Sequence, residues 1–77
     1  MSIQKYMAFL KTVEYGSFTE AAKALDYSQS GISRMINDIE KEWNVILMER
    51  GHSGVKLTSD GIRLVPYIRK ICDDYIE

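Results

Sequence analysis

A single cysteine in 77 residues leaves no disulfide framework and no thiolate-based metal site within the chain, and it fits a reduced, cytoplasmic setting. One histidine and one proline are equally sparse, so neither a histidine-rich metal cluster nor a proline-rich linker is present. No apolar run approaches membrane-spanning length, and the first residues lack the basic and apolar segments of a secretory signal, so no membrane partner is expected. Positive charge is not in excess either. Ten Lys and Arg against eleven Asp and Glu give a net charge of −1, which excludes a domain whose whole surface is basic. The chain also lacks a glycine-rich phosphate loop and any nucleophile–base arrangement, so no enzyme activity, cofactor or metal is expected. Glu40 and Glu42, two positions apart on a helix, point apart, as do the adjacent Asp73 and Asp74; all four read as solvated charges.

What is present begins at Gly16. Ser17 with Glu20 three positions later reads as a capping box, the serine oxygen accepting from the Glu20 amide and the Glu20 carboxylate reaching back to the Ser17 amide. Phe18, Ala21, Ala22 and Leu25 then fall on one side of a short helix that ends at Asp26-Tyr27. Ser28 supplies the next N-cap, and Ile32, Met35, Ile36, Ile39 and Trp43 form an apolar stripe on a second helix. Two short helices, each with its own start signal and a tight turn between them, are a helix-turn-helix.

The opposite side of that second helix carries Ser30, Ser33, Arg34, Asn37 and Lys41, with Gln29 near its leading edge. A merely solvated face more often carries Glu and Lys throughout. Gln, Asn, Ser and Arg are the side chains that pair with base edges and phosphates. Two β-prone runs follow, Val45–Arg50 and Val55–Thr58, joined by Gly51-His52-Ser53-Gly54, whose glycines suit a hairpin turn. A helix-turn-helix followed by a hairpin is a winged helix, mainly α. Arg50, His52 and Lys56 sit on or beside the wing, where cations meet a phosphate backbone or a minor groove; for His52 a solvated tip is the plainer reading.

Helices flank this centre. Ile3, Tyr6, Leu10 and Val13, widened by Met7 and Phe9, make an apolar stripe on an opening helix that ends at Tyr15-Gly16. Thr58 caps a closing helix in which Val65, Ile68, Ile71, Cys72 and Tyr75 recur at three-and-four spacing, with Pro66 inside it expected to kink it or loosen one turn. That stripe is longer than one small domain covers, which points to a homodimer through these five positions. The expected organisation is a winged helix-turn-helix over 1–58 and a dimerisation helix over 59–77, in one compact unit. An end inside an amphipathic helix suits excision from a longer protein.

Gly16-Ser17-Phe18-Thr19-x-Ala21-Ala22-x-x-Leu25, then Ser28-Gln29-Ser30-x-Ile32-Ser33-Arg34-x-Ile36-x-x-Ile39-Glu40, then Glu49-Arg50 and Val55-Lys56-Leu57-Thr58-x-x-Gly61 resemble the amino-terminal domain of LysR-type bacterial transcriptional regulators. The resemblance covers nearly the whole chain, without a gap. It implies a recognition helix opened by Ser28 to Arg34 in the DNA major groove, with Gln29, Ser30, Ser33 and Arg34 nearest the bases. It further implies that Glu49-Arg50 and the wing lie along the backbone, that the closing helix packs against its twin, and that any small-molecule effector is sensed by a domain absent from this chain. Gly31 stands where that family usually has Ala, and Asn37-Asp38 where many members are basic.

Two functions compete at this stage. One is sequence-specific binding of double-stranded DNA by a transcription regulator. The other is a winged helix that serves only as a protein-interaction or dimerisation module, favoured by the acidic pI near 5.8. A protein-docking face is expected to show an aromatic or aliphatic anchor, and the Gln29-Ser30-Ser33-Arg34 face has none.

Overall fold

The computed structural model of the chain describes residues 3–51 and 54–76. Among these residues the chain forms four helices and an antiparallel hairpin, in the order α1 (Ile3–Tyr15), α2 (Phe18–Leu25), α3 (Gln29–Trp43), β1 (Met48–Gly51), β2 (Gly54–Leu57) and α4 (Ser59–Ile76). Three hydroxyls start three of the helices. Ser17 Oγ accepts from the Glu20 amide at 3.2 Å, Ser28 Oγ from the Gly31 amide at 3.0 Å and Thr58 Oγ1 from the Gly61 amide at 3.0 Å. Each satisfies an amide that the first helical turn leaves without a partner. The second half of the expected capping box does not form. The Glu20 carboxylate turns instead to Lys23 Nζ, 3.6 Å away and one turn further on. α2 and α3 both end in left-handed residues, Asp26 at φ 61° and Asn44 at φ 55°, a conformation that short polar side chains tolerate.

The core sits where α1 crosses the helix pair and α4 closes over it. On α1 the buried residues are Tyr6, Ala8, Phe9 and Thr12, so the buried face is rotated from the expected stripe, and Ile3, Leu10 and Val13 lie at its margin. Two residues without an apolar signature make this possible. Ala8 occupies little space at the closest approach, and Thr12 donates its hydroxyl to the Ala8 carbonyl at 2.8 Å, which removes the cost of burying it. Ile32, Ile36 and Ile39 of α3 are fully buried, and Trp43 packs its ring on Tyr6 with centroids 5.8 Å apart. Lys5 Nζ and Glu42 Oε1, 2.6 Å apart, tie the edges of α1 and α3.

The first β run is shorter than expected, since Val45, Ile46 and Leu47 are not strand. After the left-handed turn at Asn44 the chain is held by the Glu40 carboxylate, whose Oε2 accepts from the Leu47 amide at 2.7 Å and the Met48 amide at 3.3 Å. That bond takes the Leu47 amide out of any ladder, and pairing begins with Met48 opposite Leu57. Glu40 is therefore a structural acceptor and not the solvated charge expected of it. On the other side Thr58 donates its hydroxyl to the Ile46 carbonyl at 2.5 Å, and its amide bonds the Leu47 carbonyl at 3.0 Å. α4 starts so close to this segment that a Cβ at Gly61 would overlap the Leu47 carbonyl oxygen. Gly54, at φ 117°, similarly lets the hairpin approach the α1–α2 turn, where a Cβ would stand 2.8 Å from the Gly16 carbonyl oxygen.

α4 continues through Pro66 as one helix. The carbonyl that proline leaves without its helical donor is that of Ile62, and both residues are exposed. No helix among the described residues is long and apolar enough to cross a membrane.

Candidate nucleic-acid interface

Helical periodicity sends the isoleucines of α3 inward and its hydrogen-bonding side chains outward. Gln29, Ser30, Arg34, Asn37 and Lys41 are exposed, and Ser33 is half-buried at the edge of the same face. Ser28 begins the face, but its oxygen serves the cap and lies 3.4 Å from the Ser30 hydroxyl. Gln29 does not stand alone: Thr19 of α2 donates its hydroxyl to Gln29 Oε1 at 3.3 Å. Thr19 was not among the expected contact residues. Its signal was present in the sequence, as a hydroxyl in the first turn of the short helix that must cross the recognition helix.

The wing completes the face from one side. Because successive side chains of a strand alternate, Met48 and Arg50 share one face of β1 and Glu49 takes the other; across the ladder they meet Leu57, Val55 and Lys56 respectively. Arg50 therefore turns toward the body of the domain. Its guanidinium lies 4.8 Å from the centroid of the Phe18 ring and donates to Asn37 Oδ1 at 3.0 Å. Lys56 is exposed on the outward face, in register with Glu49. The expected contact at His52 lies outside the described residues.

Charge is distributed unevenly. Lys5, Lys11, Lys23, Arg63 and Lys70 are each paired with a carboxylate within 4.0 Å. Among the described residues Arg34, Lys41, Arg50, Lys56 and, on α4, Arg69 make no such pair. Every cation that α3 and the wing present among the described residues is thus left for an external anion. A groove of about 890 Å³ runs beside them, with Arg34, Asn37 and Lys41 on one wall and Glu49, Thr58 and Asp60 among its other lining residues.

The five positions expected to form a dimer stripe divide. Ile68, at 0% exposure, and Cys72, at 4%, lie in the core of the single chain and cannot also form a contact surface. The reason is geometric: α4 needs its own apolar seam to close over α1. Val65 and Ile71 are partly buried against that core, and Tyr75 is exposed. The apolar side chains that α4 leaves outside are Ile62, Tyr67 and Tyr75, at 62–68% exposure, two of which carry no part of the expected stripe. Burial holds the Cys72 thiol above its ordinary range, so it is a poor nucleophile and behaves as a small apolar side chain.

Residues 3–62 match the model of the bacterial regulatory helix-turn-helix proteins of the lysR family. The chain belongs to the lysR family. Among its lysR-family relatives, the probable nitrogen assimilation transcriptional activator of Synechococcus elongatus is 39% identical over 97% of this chain and 24% of its own length. The transcriptional regulator GltR of Bacillus subtilis is 38% identical over 92% of this chain and 24% of its own length. The chain thus spans about a quarter of the length of these relatives. Its fold superposes on the DNA-binding domain of CbnR in complex with DNA with a TM-score of 0.90, at 33% identity over 95% of this chain and 84% of that one. The BenM DNA-binding domain on its catB site 1 DNA gives 0.89, at 35% identity over 97% and 84%.

Proposed function

We propose that this lysR-family domain binds double-stranded DNA in a sequence-selective way, with α3 in the major groove and the wing against the backbone. The observation that carries the reading is the outer face of α3. It gathers exposed Gln29, Ser30, Arg34 and Asn37 with cations that no carboxylate of the described chain neutralises. CbnR and BenM domains of this fold have been crystallised on DNA, which supports the same use here. Gln29, Ser30, Ser33 and Arg34 are assigned to base edges, with Arg34 suited to guanine and Gln29 to adenine. Lys41, Arg50 and Lys56 are assigned to phosphates, and Ser28 to the cap and a neighbouring phosphate. The working form is a symmetric dimer through α4 that places two α3 helices in successive major grooves, roughly 34 Å apart. Its contact surface is the exposed Ile62, Tyr67 and Tyr75 with the outer parts of Val65 and Ile71. A transcription regulator of this kind works in the cytoplasm.

Selection from a pool of random-sequence duplexes at low salt, with Arg34→Ala run in parallel, tests the reading. Enrichment of an interrupted palindrome by the wild-type chain and its loss in the variant is expected. No enrichment from a chain shown to be dimeric would leave the protein-interaction module as the better account.

A further inference from the structure

Arg50 and Asn37 are thirteen residues apart, on different elements, yet share a hydrogen bond of 3.0 Å. The Phe18 ring beneath Arg50 is buried in the core, so the guanidinium rests on a fixed platform. The orientation of the Asn37 amide follows from chemistry alone. A guanidinium has five N–H donors and no acceptor, so the atom turned to it must be the carbonyl oxygen, and the NH2 group must point away. Asn37 lies eight positions past Gln29, roughly 12 Å along the helix, beyond the first turns that reach base edges in this docking mode. A phosphodiester offers acceptors only, which suits an outward NH2 group beside the unused donors of a guanidinium.

The geometry points to a phosphate clamp built jointly by α3 and the wing. Arg50, seated on Phe18, both orients the Asn37 amide and binds directly: the Asn37 NH2 group and the free guanidinium donors together take one DNA phosphate. This rests on the DNA reading above and adds to it that the two residues act as one unit. An amide suits this position beside Arg50, since a second cation there would repel the guanidinium whereas the amide oxygen receives it.

A double-mutant cycle on the duplex selected by the wild-type chain tests the clamp, with thermal unfolding of every variant recorded alongside. Asn37→Ala and Arg50→Ala each weaken binding, and the double variant is expected to bind within about twofold of the weaker single one. Arg50→Lys keeps the charge but loses the planar fork. It is expected to weaken binding too, and in that background Asn37→Ala costs less than about twofold. The Arg50→Lys pair carries the test should Arg50→Ala fail to fold. Losses that multiply, or an Arg50→Lys variant that binds as the wild type does, would overturn the clamp while leaving DNA reading intact. A wild-type chain that selects no duplex would overturn both.

Discussion

At the residue scale, the side chain that most repays attention is Glu40. Its carboxylate accepts from two successive amides in the connection between α3 and the hairpin, and hydrogen bonds to a charged group are stronger than neutral ones. Glu40→Ala leaves both donors without that acceptor and should lower the unfolding free energy by about 2 kcal/mol, read by urea denaturation. Glu40→Gln, which keeps an acceptor of the same shape, should lose less. Glu40 was not legible as structural from the sequence, because a glutamate on a helix beside Glu42 looks like any solvated pair and its partners lie seven and eight residues on, past a turn whose geometry the sequence does not specify. Arg34 and Gln29 were legible for the opposite reason. Their placement needs only the helical period and the isoleucine stripe, and the structure puts both on the exposed side. Arg50 falls between: it stays exposed, yet strand alternation sets it against Phe18 and Asn37, whereas it reads in sequence as one more wing cation.

At the element scale, the caps of α2, α3 and α4 were all readable, since a hydroxyl or carboxylate residue ahead of an apolar period is a local signal. Ser28→Ala should cost about 1 kcal/mol of stability. Because that cap also begins the face assigned to DNA, weaker binding should accompany it. The contact between α4 and the connection was not readable. Gly61 matches a family position, but only the structure shows that a Cβ there would overlap the Leu47 carbonyl oxygen. Gly61→Ala should destabilise the fold by roughly 1–3 kcal/mol through forced backbone movement, seen as a lower thermal midpoint. The buried face of α1 keeps Tyr6 and Phe9 of the apolar stripe but is rotated from the rest of it, because hydropathy gives no weight to Ala8 or Thr12, both fully buried. Close approach and a back-bonded hydroxyl place them there, and neither depends on side-chain hydrophobicity. The α4 stripe misled in another way. Three-and-four spacing marks a buried seam without saying whether the chain itself or a second copy buries it, and Ile68 and Cys72 turn out to be buried by α1 and its neighbours.

For the whole molecule, charge placement and pH response follow from the same packing. The three cations assigned to phosphates, with Arg34 as a fourth at most, each release roughly 0.9 counterion equivalents and limit the slope of log affinity against log salt to about 3 to 4 per chain. Titrations between 50 and 300 mM salt measure it, and a steeper slope would mean phosphates met elsewhere on the surface. Alkaline stability responds to three groups. The hydrogen bond that Lys5 donates to the Glu42 carboxylate raises Lys5 above its ordinary 10.5, and burial raises Tyr6 above 10.0 and Cys72 above 9.0. A group with a raised folded-state pKa contributes its stability in full below the unfolded value and loses it as pH climbs through the folded one. Stability should therefore be insensitive to these groups up to about pH 9 and then fall, with Cys72→Ala delaying the onset. A chain of net charge −1 fits a DNA-binding surface because five of its six other cations are held in ion pairs while those of α3 and the wing are not, a distribution that the sum of charges conceals.

The most direct measurement is the ratio of affinities for the selected duplex and a scrambled duplex of the same length, at one salt concentration, for the wild-type chain and Arg34→Ala. If α3 reads bases, the wild-type ratio should be at least about a hundredfold and should collapse toward one in the variant, while binding to the scrambled duplex falls only by the loss of one cation. An Arg34→Ala variant that keeps the wild-type ratio would contradict base reading by this face.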